Sequence, residues 1–426
     1  MKKLIFLALV VTVCGCASNK TVTSNSSKEL YKSRLSTVPL NSDQLIAFNE
    51  ERVKNDPQGA IGLAMLSEAY LAKARERDDT KSAIKAEAAA RRSLTARRKN
   101  NSRAATRLAQ SLLEQHRFAE GLEAAKLAVS LEPDSPGPLR LKADILLELG
   151  RYEEFKQMLA QLPAEDEPST AAMMARWCLV NGENDRAVAL MRGATQKVAQ
   201  IESLPPQTAS WFFTKSGDVL VRTGEPVQAA KQYHEALRRF PKDYRAIAGL
   251  ARAHAELGEW VDSIKWGEST LEIAKMTNVM GLLVDAYAKT NQIEKSKAMM
   301  ARIDQENAES RKGMGAAHGE AVAKKHGHTH DRLYAMYLAD QLKDLRLAHH
   351  IAEEDLQNRQ DIYAYDAFAW TTYLYYKHTP AKVTGEGDFL LFEAKRAMKK
   401  AMATGCKEPE LLKHAQVILN AKPNSQ

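Results

Sequence analysis

The sequence is poor in cysteine, with four residues among 426. So few cysteines cannot build the disulfide framework on which small secreted scaffolds depend. It also lacks a long apolar run: Leu4–Val13 is ten residues, about half of what a membrane-spanning helix needs. Runs of β-branched residues with a period of two are missing as well, and apolar residues instead recur every three or four positions. The sequence therefore predicts an all-α chain.

The motifs of common catalytic sites are also missing. There is no G-x-S-x-G, no phosphate loop ending in Gly-Lys-Ser/Thr, no H-E-x-x-H and no paired C-x-x-C. The glycines of "GEGDF" at 385–389 follow no predicted strand, which disfavours a phosphate site. Basic runs without interleaved aromatic residues disfavour nucleic acid. We therefore expect a non-enzymatic protein without a resident cofactor.

The amino terminus carries a targeting signal. Lys2 and Lys3 precede the short apolar run, as in a secretory signal peptide. The stretch Val13-Cys14-Gly15-Cys16 resembles the lipobox of bacterial lipoproteins, and Cys16 fits because the small Gly15 precedes it. The resemblance implies cleavage after Gly15, a thioether-linked lipid on Cys16 and an acylated amino terminus. Several acyl chains form an effectively permanent anchor. A plain signal peptide with incidental cysteines is the alternative.

The residues after Cys16 predict the location of the protein. Ala17 and Ser18 lack the aspartate that retains many lipoproteins in the inner membrane, so we expect the periplasmic side of the outer membrane. Residues 16–41 are rich in Ser, Thr, Asn and Lys without apolar periodicity, which predicts a flexible tether. Loss of Lys2 and Lys3 lowers the formal charge from +8 to +6. Cys178 and Cys406 remain, either bridged or free, and Cys178 lies in an apolar pattern typical of a buried small residue.

The helical pattern repeats with a period of about 34 residues. Residues 210–243 resemble a tetratricopeptide repeat, with Ser216 standing where leucine is usual. The matching positions are Phe213, Gly217, Leu220, Gly224, Ala229, Tyr233, Ala236 and Pro241. Small residues at these positions let antiparallel helices approach closely, while bulky residues fill the space beside them. Units at 102–135, 244–277 and 278–309 continue the register, as do two units after residue 135 that contain Gly150 and Gly182, and a divergent pair lies at 58–98.

The resemblance implies a right-handed α-solenoid of about nine helix pairs. Two further pairs follow residue 331, and residues 408–420 are expected to form a capping helix. We therefore predict a signal peptide at 1–15, a lipidated tether at 16–41, a repeat solenoid at 42–310, a His-rich connecting segment at 311–330, and C-terminal repeat-like helices with the capping helix at 331–426.

The first helix of each repeat is expected to line a groove. At its exposed repeat positions, arginine recurs in five successive units, and planar guanidinium groups bind carboxylates well. We predict a groove for an acidic peptide or another envelope protein, formed by Arg103, Arg140, Arg176, Trp211, Asp218, Arg222, Arg245 and Arg252. The alternative is that some of these arginines pair with carboxylates inside the solenoid.

Two other hypotheses come from the C-terminal third. His326, His328 and His330 alternate in "HGHTHDR", and imidazoles at this spacing bind Zn²⁺, Ni²⁺ or Cu²⁺. A metal-handling protein is therefore the alternative to an adaptor. The cluster of Tyr363, Tyr365, Asp366 and Trp370 could belong to an unrecognised catalytic site, although its helical spacing favours packing.

Overall fold

The computed structural model describes residues 41–318, 331–379 and 388–423. Within these ranges the chain forms twenty α-helices and no β-strand. The predicted signal peptide, Cys16, most of the tether, and His326, His328 and His330 lie outside the described residues. Within the described part, no helix is both long and apolar enough to cross a bilayer.

The helices follow one another through short connections. In chain order they are α1 Ser42–Asn55, α2 Ala60–Arg77, α3 Thr80–Ala96, α4 Ser102–Leu113, α5 Phe118–Leu131, α6 Pro136–Glu148, α7 Tyr152–Met158, α8 Pro168–Val180, α9 Asn184–Ala199, α10 Pro206–Arg222, α11 Pro226–Arg239, α12 Tyr244–Glu256, α13 Trp260–Leu271, α14 Thr277–Lys289, α15 Ile293–His318, α16 Asp331–Asp340, α17 Leu345–Asn358, α18 Ile362–His378, α19 Asp388–Met402 and α20 Pro409–Asn420.

From α2 to α19 the described helices form nine antiparallel pairs, and each pair packs on the next. The predicted repeat register is confirmed, because the unit at 210–243 corresponds to α10 and α11, with α10 beginning at Pro206, and the neighbouring units are helix pairs as well. Helix α15 continues to His318, so the predicted connecting segment at 311–330 begins inside a helix.

Local sequence signals set the helix ends. Asp243 caps α12 by accepting the backbone N–H groups of Arg245 and Ala246. Prolines open α10 and α11, where a missing N–H has no helical acceptor in any case. Between these two helices Gly224 takes a φ of 82°, in the left-handed region that ends a helix without steric cost for glycine.

Packing between neighbouring units depends on Tyr233, whose side chain is fully enclosed. Its ring occupies the space where a Cβ on Gly217 or on Gly249 would lie. Its hydroxyl donates to Asp218 Oδ1 at 3.0 Å. A large aromatic ring thus joins α10, α11 and α12 because two glycines leave room for it.

The solenoid closes on itself. The backbone N–H of Gln360 donates to the carbonyl of Leu149 at 3.0 Å, and that of Ile362 to the hydroxyl of Tyr152 at 3.1 Å. Gly182 lies against Gly405, which precedes α20. One continuous apolar core joins side chains of α4–α8 with side chains of α14–α20. The C-terminal pairs therefore pack against the early units as well as extending the stack.

Candidate partner-binding face

The predicted groove residues all lie on the first helices of their pairs. Arg103 is on α4, Arg140 on α6 and Arg176 on α8. The remaining five are on two neighbouring helices: Trp211, Asp218 and Arg222 on α10, and Arg245 and Arg252 on α12. These eight residues are called the arginine row below. The structure shows which of their charges are already paired within the chain.

The first arginines pair within the solenoid. Arg103 lies 3.1 Å from Glu68, which also lies 2.8 Å from Arg107. Arg140 donates to Glu167 Oε2 at 3.1 Å, and this carboxylate also caps α8. These arginines therefore pair with carboxylates of their own chain, Arg140 in a partly buried pair and Arg103 in an exposed one.

Arg176 lies between two carboxylates of α6. It is 3.2 Å from Asp144 and also forms an ion pair with Glu148. Burial opposes ionisation of Glu148, yet the positive charges of Arg176, Arg359 and Arg332 hold its pKa below the usual value. Two of these arginines come from the C-terminal pairs, so Glu148 links the two ends of the chain electrostatically.

Arg222 binds the carboxyl-terminal region of its own chain. Its Nη1 donates to the hydroxyl of Tyr363 at 3.0 Å and lies 3.5 Å from Glu408 Oε1. Tyr363 in turn hydrogen-bonds Glu408, which is buried at the start of α20. The carboxylate expected from a partner at this position is therefore supplied by the chain itself.

The other end of the row keeps uncompensated cations. Arg245 stacks on the ring of Tyr244 at 4.5 Å and donates to the carbonyl oxygen of Arg75 at 2.8 Å. Neither Arg245 nor Arg252 has a carboxylate within ion-pair distance in the described part of the chain. Arg252 is exposed, and Trp211 retains 39% exposure.

Repeat geometry places these three residues on one face, with Arg252 about two helical turns from Arg245 along α12. Trp211 and Arg245 hold equivalent positions 34 residues apart, on first helices that pack against each other. Asp218 and Arg252 are related in the same way, and Asp218 already pairs with Lys215 at 2.8 Å. The face between α10 and α12 thus offers the exposed Trp211 ring and the exposed guanidinium group of Arg252, while the half-buried Arg245 already donates to the carbonyl oxygen of Arg75.

The C-terminal aromatic cluster is packed. Asp366 lies 2.9 Å from His414 Nδ1, and both side chains are buried. The Trp370 ring stacks on His414 with centroids 4.2 Å apart, and its Nε1 donates to Asp340 at 2.8 Å. Each polar group in the cluster therefore has an internal partner, which agrees with the packing interpretation.

Residues that sequence reasoning missed include Glu408, His414 and a small acidic group. His254, Glu259 and Asp262 bring their ligand atoms within 4.8 Å of one another, with His254 Nδ1 2.6 Å from Glu259. In the part of the chain described, this is the group whose geometry suits a metal, and its carboxylates are solvent-exposed. The spacing His-x4-Glu-x2-Asp across a turn is the only signal that could have indicated it.

The two remaining cysteines are free and buried. Burial raises the pKa of Cys178 to about 12 and that of Cys406 to about 11. Both thiols are therefore protonated near neutral pH and poor nucleophiles.

Comparison with known proteins identifies the repeats. Residues 112–177 and 214–275 each match a tetratricopeptide repeat model. No curated protein matches the chain significantly. These two segments include most of the helices from α5 to α8 and from α10 to α13.

Solved structures with a similar helical arrangement have low sequence identity. One is described as the functional characterization of pilF from Pseudomonas aeruginosa, with 13% identity, a TM-score of 0.35, and coverage of 52% of this chain and 94% of that one. Another is PilW, a widely conserved type IV pilus biogenesis factor, with 16% identity, a TM-score of 0.39, and coverage of 48% and 92%. A human IFIT1 dimer with PPP-AAAA has 10% identity, a TM-score of 0.43, and coverage of 87% and 96%. From its repeat matches and its paired helices, the chain is a tetratricopeptide repeat protein.

Proposed function

We propose that the protein is a non-enzymatic adaptor in the bacterial envelope, held on the periplasmic face of the outer membrane by lipid on Cys16. Its partner is an envelope protein with an acidic segment. The observation that carries the partner chemistry is the face of Trp211, Arg245 and Arg252: Trp211 and Arg252 are exposed, Arg245 is half-buried, and neither guanidinium group has a carboxylate within ion-pair distance among the described residues. Guanidinium groups next to an aromatic ring favour carboxylate side chains on an extended or helical peptide.

The partner-binding part is tested by charge reversal. In an Arg245→Glu/Arg252→Glu variant, we expect binding of a fluorescent glutamate-rich peptide to weaken at least about tenfold, because two attractive charges become repulsive. The matched control is Arg192→Glu, an exposed arginine on the second helix α9. Equal peptide binding by all three proteins would rule out this face.

Crosslinking in the envelope, followed by mass spectrometry, then identifies the natural partner. We expect a crosslinked protein that is lost with the double charge reversal and retained with Arg192→Glu. Crosslinks that are insensitive to both changes would place the partner elsewhere on the solenoid.

The anchor is tested separately. Cys16→Ser should release the protein from membranes washed with carbonate, while Cys14→Ser should leave it bound, since the lipobox resemblance assigns the lipid to Cys16. Membrane retention of the Cys16→Ser protein would contradict the anchor without affecting the peptide-binding result.

Metal handling is the second candidate, supported by the spacing of His326, His328 and His330. Calorimetric titration with Zn²⁺ and Ni²⁺ should show uptake that disappears when the three histidines become alanine. A His254→Ala control distinguishes these residues from the group of His254, Glu259 and Asp262. If neither metal binds, the adaptor is the remaining candidate function.

A further inference from the structure

Two phenylalanines of α19 lie on the surface of the molecule. Phe389 is 57% exposed and Phe392 is 60% exposed, whereas every other phenylalanine in the described ranges is buried or partly buried. They are three residues apart, so they are neighbours on one side of the helix. The opposite side of α19 packs into the apolar core. The two exposed rings therefore lie outside that core.

The same side of α19 continues with cations. Arg396 is one helical turn after Phe392, and Lys399 and Lys400 follow in the next turn. All three cationic side chains are exposed. These five residues are called the α19 face below. The α19 face thus has two aromatic rings at one end and three positive charges at the other.

The charges of the α19 face are largely uncompensated. Lys399 has no carboxylate within ion-pair distance in the described part of the chain. Lys400 donates to the hydroxyl of Tyr365 at 3.4 Å rather than to a carboxylate. Arg396 pairs with Glu393, whose side chain is mostly buried. The α19 face therefore carries a net positive charge.

The surroundings of α19 are cationic as well. Residues 388–423 contain seven lysines and arginines and four carboxylates. Glu393 and Glu408 form ion pairs within the chain, Asp388 accepts a hydrogen bond from a tyrosine hydroxyl at 3.2 Å, and Glu410 is exposed. The exposed lysines of this region without an ion pair among the described residues are Lys399, Lys407, Lys413 and Lys422.

Helix α20 adds apolar surface next to this region. The terminal helix of a repeat array usually has a polar outer side, yet Leu412 is 41% exposed and Leu419 is 37% exposed. Lys395 of α19 donates to the carbonyl oxygen of Ala421 at 2.6 Å, so the end of α20 lies against the middle of α19. Cations and exposed apolar side chains therefore occur together at this end of the molecule.

We propose that the α19 face binds the surface of an anionic phospholipid bilayer. Phe389 and Phe392 then insert between the headgroups, and Arg396, Lys399 and Lys400 contact the lipid phosphates. Long lysine side chains can reach the phosphates while the helix lies flat on the membrane. Aromatic rings beside lysine and arginine are typical of helices that lie in the membrane interface.

The combination of groups favours a bilayer as the occupant. A bilayer offers negative charge and an apolar interior on one broad surface, so it complements both the cations and the rings. As the second helix of its pair, α19 lies on the outer side of the solenoid, away from the helices that line a peptide groove.

The choice of a bilayer also rests on the proposed anchor. A flexible chain of the length of residues 16–41 spans about 25–30 Å, so lipid on Cys16 keeps the folded part beside a membrane.

Vesicle binding tests the proposal without the anchor. The chain from residue 16 onward with Cys16→Ser contains every described residue but neither the predicted signal peptide nor a lipid. It should sediment with vesicles of phosphatidylglycerol and phosphatidylethanolamine but not with phosphatidylcholine vesicles, because only the former are negatively charged. Binding should weaken as the ionic strength rises. No binding to the anionic vesicles, or equal binding to both kinds, would overturn the proposal whatever the membrane wash shows for the anchor.

Substitution of the rings tests their insertion. Phe389→Ser/Phe392→Ser should weaken binding to the anionic vesicles at least about tenfold, since the apolar contribution is lost. The matched control is Val227→Ser/Val261→Ser, which changes two aliphatic side chains of similar exposure on α11 and α13. Circular dichroism should show the same helix content in both variants. Equal vesicle binding by the two variants would refute the role of the α19 face.

Charge reversal tests the contacts with phosphate. Lys399→Glu should weaken vesicle binding about tenfold, because an attractive charge becomes repulsive. Lys231→Glu is the control, since Lys231 is also an exposed lysine on a second helix and has no ion pair among the described residues. If both changes have the same effect, general charge rather than the α19 face binds the vesicles.

Photocrosslinking in cell envelopes identifies the occupant. A photoreactive phenylalanine analogue at position 392 should crosslink to phospholipid, and the same analogue at position 261 should not. A protein captured at position 392 in place of lipid would refute the choice of a bilayer, as would the absence of a lipid crosslink there.

Discussion

Tyr233 shows how a single side chain holds three helices in register. Because its ring fills the space beside Gly249, a methyl group there forces the ring or α12 to move. We expect Gly249→Ala to lower the free energy of unfolding by about 1–3 kcal/mol, as overpacking does. Gly193→Ala is the matched control, because that helical glycine has open space around it and alanine should add about 0.5–1 kcal/mol. Urea unfolding should show a lower free energy of unfolding for Gly249→Ala and a higher one for Gly193→Ala than for the wild type.

His414 makes stability depend on pH. Burial opposes its charge, but the hydrogen bond and negative charge of Asp366 outweigh burial and raise the pKa of His414 above 6.5. The folded protein therefore binds this proton more tightly than the unfolded chain does. The stabilisation is fully present below pH 6.5 and is lost as the pH rises through the folded-state pKa.

We expect the free energy of unfolding to decrease between about pH 6 and pH 9. The decrease should be smaller in His414→Gln than in the wild type. Urea unfolding at the two pH values measures it. His378→Gln, at the end of α18, is the control and should keep the wild-type dependence. A dependence that is unchanged in His414→Gln would show that other groups cause it.

For single residues, the sequence predicted which side chains pack between helices better than it predicted which distant residues they contact. Gly217, Tyr233 and the small residues of α11 follow from repeat spacing, because their role is local packing. The partner of Arg222 could not be predicted. Glu408 lies 186 residues further along, and no periodicity relates the two positions.

At the level of elements, identical turns have different neighbours. Gly150 and Gly224 both have positive φ at the end of a first helix, yet only Gly150 has the backbone of Gln360 beside it. Alanine at either position costs about 1 kcal/mol of backbone strain. Gly150→Ala should in addition displace the loop before α18.

Hydrogen exchange tests this difference between the two turns. Amides of α18 and α20 should exchange faster in Gly150→Ala and remain unchanged in Gly224→Ala, since only the first substitution disturbs the C-terminal pairs. Equal exchange in both variants would show that the contact at Gly150 does not hold these helices in place.

The helices themselves were largely predictable. Apolar periodicity, prolines at helix starts and glycines at helix ends indicated nine pairs and the terminal helix α20. These signals are local, so they place helix boundaries but carry no information on which distant turn a loop covers. The sequence predicted α20 as a cap on the last apolar face, and the structure adds the contacts of the loop before it, Gly405 with Gly182 and Glu408 with Arg222.

The whole molecule should unfold more cooperatively than an open repeat array. Trp177 lies in the core that joins α4–α8 to α14–α20. Removing residues 331–426 exposes that core, so we expect Trp177 and its neighbours to unfold at lower urea and with a broader transition. Removing residues 1–40 is the control and should leave the transition unchanged. A truncated protein with wild-type stability would show that the closure contributes nothing.

Closure also constrains how many repeats this chain can contain. An open solenoid gains or loses one unit with little effect on the others, because each unit contacts only its neighbours. Here Gly182 and Gly405 meet only if the intervening pairs complete the right amount of curvature. Duplicating or deleting one pair between them would separate the two loops, so the repeat number is set by the geometry of the whole molecule.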